Sequence, residues 1–289
     1  MRRSSWFALF ALQIGIALAA PTIMRAAMVD EGYLHAERSL ADALSKGDAK
    51  ATAAFLDDRF QLVESNGKVN SKAQVLEKLS LFASDNEEAS DVRADDLLDR
   101  VVRVVGVHHN LRFVHLWVKN VAGWQAFAFL DIPIPAVKRM QTPQPPKDPN
   151  ADCDNPCRSV PYKPENEEQA GALATWLRLK TDEWHPNPED WAAHADALHE
   201  TISPNGDEPK LEHVERLKQQ LSLYGEDGAD PGEIVLSMKM YDFGHVVIQE
   251  NLQGPQGTTK PTTWVMRVFV NRGDGWKIAL SAQTKIQGD

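Results

Sequence analysis

Two stretches of this chain say nearly the same thing. Arg112–Trp124 reads RFVHLWVKNVAGW and Trp264–Trp276 reads WVMRVFVNRGDGW. Each is an alternating apolar run, then a short Gly-containing turn, then Gly-Trp opening a second apolar run. Trp117 aligns with Phe269, Val118 with Val270, and Gly123-Trp124 with Gly275-Trp276. Such a self-match marks an internal repeat, so the 289 residues read as two copies of one module.

The repeat continues upstream in the same order. Copy one has a helical run over Tyr33–Lys46, Gly47-Asp48, a second helical run from Ala49 to Asp57, a strand over Arg59–Glu64, and Asn66-Gly67. Copy two has a long helical run over Glu167–Trp184, Asn187-Pro188, a short helix over Trp191–Ala195, a strand over Leu198–Ile202, and Asn205-Gly206. Asp48 is suited to cap the second helix of copy one. In copy two Asn187 caps, and Pro188 takes the first helical position, where a missing N–H costs nothing. A third helical run follows each Asn-Gly turn, Lys72–Phe82 and Leu211–Leu223. Val75 and Leu79, and Val214 with Leu217 and Leu221, lie on one face of it. Copy one looks trimmed, with little room for a separate long hairpin between Val101–Val107 and Arg112. Copy two has strand-like Ile234–Phe243 and His245–Leu252 before its final pair. If one copy keeps an open pocket, copy two is the expected one.

An apolar fraction of 43% and a charged fraction of 25% are ordinary for globular domains, and each copy is long enough to bury a core. The net charge of −10 argues against nucleic acid or an anionic membrane surface as partner. Residues 1–20 read as a signal peptide: basic Arg2-Arg3, apolar Trp6–Ala20, and small Ala17-Leu18-Ala19 before the cleavage point. The apolar core is short for a membrane span, so no stable insertion is expected after cleavage. The expected location is periplasmic or secreted.

The two cysteines, Cys153 and Cys157, sit in CDNPC. In an oxidising compartment a disulfide is the preferred reading over a redox or metal-binding pair. Closing so short a loop stabilises by roughly 2 kcal/mol. The pair lies in a Pro-rich linker, 139–164, between module 1 (28–138) and module 2 (165–289). Such a linker is stiff, and the clip is expected to stiffen it further.

This element order, closed by W/F-V-K/N-x-x-x-G-W, resembles the nuclear transport factor 2-like superfamily, nearest its SnoaL-like and ketosteroid-isomerase-like branch, which includes members of unassigned function. The resemblance implies an α+β fold. Each module would be a cone: a curved antiparallel sheet with helices across its concave face and an apolar pocket between. The outer sheet face commonly makes a dimer in this superfamily, so the two copies are expected to pair within the chain. The strands are compatible with this. Phe113, His115 and Trp117 point one way and Val114, Leu116 and Val118 the other; Val265, Arg267 and Phe269 oppose Trp264, Met266, Val268 and Val270. A strand apolar on both faces is covered on both sides.

The superfamily hosts many activities, so its fold does not give a reaction. Ketosteroid isomerases use a carboxylate on the strand after the second helix. Here that position falls near Val63, with Glu64 one residue off, and near Thr201, beside Glu200. The second acid would fall near His115 and Arg267, and neither is acidic. Tyr33 stands at the very start of its helix. Dehydratases of this fold use a His–Asp arrangement, for which His108, His109, His115, Asp95, Asp96 and Asp99 are available. His108-His109 are expected in a turn. His194 and His199 straddle a helix-to-strand junction, beside the pocket mouth or at the surface.

The pocket candidates are therefore His115, Trp117, Arg267, Phe269 and Glu200. His115 offers acid–base chemistry, and Arg267 offers two-pronged recognition of a carboxylate. For each, a structural role in the core is the competing reading. No metal site and no cofactor are expected. The leading functional expectation is a non-catalytic protein binding a small hydrophobic molecule, or an interaction surface. The alternative is a cofactor-independent isomerase, dehydratase or cyclase.

Overall fold

The computed structural model describes residues 30–81, 89–136, 153–225 and 233–287. The expected signal peptide and the linker up to residue 152 lie outside the described residues. Module 1 runs α1 (Glu31–Ser45), α2 (Ala49–Ala54), β1 (Leu56–Val63), β2 (Val69–Ser71), α3 (Lys72–Glu77), β3 (Ser90–Leu97), β4 (Val101–His108), β5 (Leu111–Asn120) and β6 (Gly123–Pro133). Module 2 repeats the order as α4 (Glu167–Trp184), α5 (Pro188–Ala193), β7 (Ala195–Ser203), β8 (Gly206–Pro209), α6 (Lys210–Tyr224), β9 (Glu233–Asp242), β10 (Val246–Pro255), β11 (Thr263–Asn271) and β12 (Trp276–Lys285). Module 1 is therefore not trimmed. A two-residue turn at His109-Asn110 joins β4 to β5, and the matching long strand is β3, within the acidic 90–97 stretch.

The local signals act where the side chains can satisfy free helix-end N–H groups. Asp48 accepts from Ala51 N at 2.9 Å, and Asn187 accepts from Asp190 N at 3.2 Å. Ser71 and Gln74 close a reciprocal capping box at α3.

Each module has one six-stranded sheet, ordered β2-β1-β6-β5-β4-β3 and β8-β7-β12-β11-β10-β9. The sheets are mixed rather than wholly antiparallel, because β1 runs parallel to β6 and β7 parallel to β12. Even the irregularities recur. The β5–β6 ladder skips Phe127, and the β11–β12 ladder skips the aligned Ala279. A bulge of this kind bends a strand and turns one extra residue outward.

The two faces of each sheet have different neighbours. Phe113 and Trp117 belong to a core beneath the module 1 helices, and Phe269 belongs to the matching core of module 2. The opposite faces share one core drawn from both modules, including Val114, Leu116, Val118, Trp264, Met266, Val268 and Val270. Burial of this apolar area, at about 25 cal/mol per Å², is the main force joining the modules.

Polar groups reach across in both directions. Gln61 donates to Glu250 at 2.9 Å, and Arg93 of module 1 pairs with Glu200 of module 2. Arg112 pairs with Asp207. Gly67, at φ +81, lets its turn meet the last strand of module 2. A Cβ there would stand 2.7 Å from the Ile286 backbone.

Arg103 is the deepest of these groups, at 2% exposure. Its Nε donates to Asp95 at 3.0 Å, and its Nη1 donates to Leu198 O at 3.1 Å and Ala279 O at 3.0 Å. Those carbonyls lie where the β7–β12 pairing shifts register, between Ala195 opposite Ile278 and Glu200 opposite Leu280. The bulge frees two buried acceptors, and a cation from the other module satisfies them.

The remainder of the linker is not a free spacer. Cys153–Cys157 is bridged and packs on Trp184. Asn155 pairs through both ends of its amide with Val235 on the β9 edge, donating at 2.9 Å and accepting at 3.0 Å. Val160 and Tyr162 pack against the module 2 core.

Arg103→Met keeps most of the side-chain volume but leaves Asp95 and two carbonyls without their buried donor. We expect a loss of about 3–5 kcal/mol in urea unfolding at neutral pH. A loss under ~1 kcal/mol would show that solvent satisfies these groups instead.

Candidate functional site

Module 2 encloses a cavity of about 370 Å³ between its sheet and helices. Its sheet side includes His199 and Thr201 from β7, Gln253 from β10, Arg267 from β11, and Ser281 and Gln283 from β12. Glu208 of β8 joins them. Trp176, Lys180 and Glu183 of α4, Trp191 of α5, and His213 and Arg216 of α6 form the opposite wall. Pro156, beside the disulfide, lines it too.

The duplication provides an internal control. Caps Asp48 and Asn187 correspond. So do Lys72 and Lys210, each of which donates to the first carbonyl of its module's first strand, Leu56 O at 2.8 Å and Ala195 O at 2.6 Å. In this register His199 stands where module 1 has Phe60, Glu208 where it has Asn70, and His213 where it has Val75. Glu183 replaces Leu44, Trp191 replaces Thr52, Arg267 replaces His115 and Ser281 replaces Phe129.

Module 1 fills the equivalent space with rings. Phe60 and Tyr33 are buried. Phe129 meets Phe60 edge-on at 5.4 Å and stacks on His115 at 3.7 Å; Tyr33 meets Trp117 edge-on at 5.6 Å. One fold therefore carries an apolar plug in one copy and an ionisable cavity in the other.

The ionisable groups of module 2 are mostly locked. Glu208 accepts from Arg216 Nε at 2.6 Å and lies 2.8 Å from His213 Nδ1. Burial opposes its charge, but His213 and Arg216 outweigh that and hold the carboxyl at about 2. Glu183 is paired with Lys180 at 2.6 Å. Against the same cost of burial, Lys180, His213 and Arg216 hold it at about 2. His213 stacks on Trp191 at 3.8 Å, and burial, then Arg216, lowers its pKa.

Two groups are not locked. His199 is 3% exposed, and neither ring nitrogen meets a hydrogen-bond partner among the described residues. Burial, then His213 and Arg103, lowers its pKa to about 3, so the ring is neutral. Arg267 is 4% exposed and rests on Trp176 at 5.1 Å. Its Nη1 has no hydrogen-bond partner among the described residues. Burial brings its pKa down to about 10, which leaves it cationic at neutral pH.

Of the five pocket candidates, Arg267 alone lines this cavity; it is joined there by His199, which the sequence set beside the pocket mouth or at the surface. Phe269 is buried in the core beneath the helices. Trp117 occupies the corresponding core of module 1, and His115 lies against Phe113 and Phe129 with its pKa lowered by burial to about 3. Glu200 points to the other face of β7, where it pairs with Arg93, because side chains alternate along a strand. Its neighbour His199 takes the cavity side. His108 is in strand β4 rather than a turn, 3.0 Å from Asp131. Asp95 pairs with Arg103, and Asp96 accepts from the Asp99 N–H at 2.7 Å. Glu64 accepts from Asn70 beyond the end of β1.

Glu208, His213, Glu183 and Ser281 were missed by sequence reasoning. Aligning the copies beyond the final hairpin carries the signal, since it sets each against an apolar residue or Asn70. Asp182, Asp190 and His194 form a metal-like cluster. The guanidinium of Arg178, 2.5 Å from Asp190 and 3.5 Å from Asp182, already serves as its cation.

The lowered His199 pKa has a sign that can be tested. The unfolded chain takes up a proton on this residue near pH 6.5, and the folded chain near pH 3. Its contribution is therefore complete above about pH 6.5 and declines as pH falls toward 3, at up to about 1.4 kcal/mol per pH unit. His199→Phe, the module 1 residue, should flatten urea midpoints measured across that window. An unchanged pH profile would mean that His199 charges in place.

No protein-family model matches the chain, and no curated protein matches it. Solved structures do. A nuclear transport factor 2-like protein from Cytophaga hutchinsonii is 17% identical, with TM-score 0.26, covering 35% of this chain and 94% of its own. One from Rhodospirillum rubrum, described as of unknown function in nutrient uptake, is 27% identical, with TM-score 0.27, covering 35% of this chain and 97% of its own. Another from Shewanella oneidensis, of unknown function, is 15% identical, with TM-score 0.27, covering 35% and 97%. Each match spans about one module's length. By its own twice-repeated order of helices and strands, the chain is built as two tandem α+β modules.

Proposed function

We propose that this is an exported, non-catalytic binding protein. Module 2 takes a small molecule in its cavity, and module 1 is the filled packing partner. The observation that carries this reading is the replacement of Phe60 and Phe129 by His199 and Ser281 around a cavity of about 370 Å³. A buried ring whose two nitrogens lack protein partners costs stability unless a ligand or water supplies them. The lining also revises the expected ligand from hydrophobic to polar. The Cys153–Cys157 bridge supports export, since such bridges persist in oxidising compartments. Among the described residues no helix is long and apolar enough to cross a membrane.

The Glu208–His213 pair favours a second reading, acid–base catalysis in the same cavity. The charge states of the cavity groups weigh against it. A general acid or base works best with a pKa near the operating pH. Glu183 and Glu208 are held at about 2 and His199 at about 3.

Native mass spectrometry of mature protein from its own host compartment tests the binding reading. We expect a co-purifying mass that leaves on denaturation. His199→Phe should lose that mass while remaining folded. Ligand-free masses for both proteins would point instead to a site that needs no occupant.

A further inference from the structure

Pairing leaves one cation of the cavity over. Lys180 is neutralised by Glu183, and Arg216 by Glu208. Glu233, also at the lining, pairs with Lys285. Arg267 has no ion-pair partner among the described residues, and its contact is the Trp176 ring. The acid that acts on it electrostatically is Glu183, already committed to Lys180. A cation left unpaired at this depth is costly, and a counter-charge arriving from outside would remove that cost. Module 1 has His115 at this position, so the fold itself does not require the arginine.

We propose that the ligand of module 2 is a small organic monoanion, a monocarboxylate in its simplest form, whose charged end docks on Arg267. This deepens the binding reading above and rests on it. One anion neutralises the one unpaired cation. A guanidinium presents a fork of donors that matches the two oxygens of a carboxylate. Trp176 holds the plane of that fork from one side. The rest of the ligand is neutral and polar, because the groups elsewhere in the lining that lack a partner among the described residues are uncharged: His199, which offers one donor and one acceptor, and the Trp176 indole N–H, a donor. A second negative charge would meet Glu183 and Glu208, both ionised and without a spare cation.

The probes are acetate, glycolate, lactate and 3-hydroxybutanoate, each set beside its primary amide. The readouts are the Arg267 Nε–H and His199 ring signals in NMR, assigned by their loss in Arg267→Met and His199→Phe. We expect at least one carboxylate to shift the Arg267 signal saturably and to bind about tenfold or more tightly than its amide. Arg267→Met should abolish that preference, and Arg267→Lys should restore part of it. Thermal melts confirm that the variants fold. If amides bind as well as the acids, with His199 shifting and Arg267 indifferent, the anion assignment falls and the cavity reading stands. If no probe moves either signal, both fall.

Discussion

The molecule depends on burying the outer faces of two sheets against each other. Those faces carry Val114, Leu116, Val118, Trp264, Met266, Val268 and Val270, whose apolar area neither module covers alone. Two lone modules would each present a large contiguous apolar patch to water. Joining them within one chain removes the concentration dependence of the association. The polar contacts across the join then act on register rather than on affinity. Arg103 is the plainest case, since its partners are backbone carbonyls that a shifted strand would move away.

With both sheets held from behind, the two concave faces are free to differ. Module 1 uses its concave face for stability, stacking Phe60, Phe129, Trp117 and Tyr33. Module 2 gives up part of that packing to ionisable groups that burial disfavours. Functional sites commonly carry such a deficit, offset elsewhere in the fold. Here the offset lies in the sister module and the shared core. The duplication thus separates two demands that one small cone would have to meet with the same residues.

Much of this was legible in the sequence. The duplicated hairpin, the capped helices, the Asn-Gly turns and the alternation of Phe113–Val118 place the main elements, because each rests on local physics. The acidic stretch at Ser90–Leu97 hid a strand. Its carboxylates mask the period, and its place at the sheet edge leaves one side unpaired. The parallel pairing of β1 with β6 has no local signal at all. Arg267 stood out as a charge in an apolar run. His199 did not, for its meaning lies in what module 1 puts in its place. Glu200 misled by one residue, which on a strand is the difference between the cavity and the opposite face.

Asn155 has a consequence for how the molecule meets its own copies. An outermost strand offers a row of unsatisfied N–H and C=O groups that can recruit another strand. At Val235 this row is closed by one side-chain amide, which donates and accepts as a neighbouring backbone would. The bridged Cys153–Cys157 loop holds that amide in place. Module 1 manages its own outer strand with Asp91, Arg93, Asp95 and Asp96. The sheet of module 2 thus ends in a covalently tethered stopper, which turns a linker into protection against chain-to-chain strand addition.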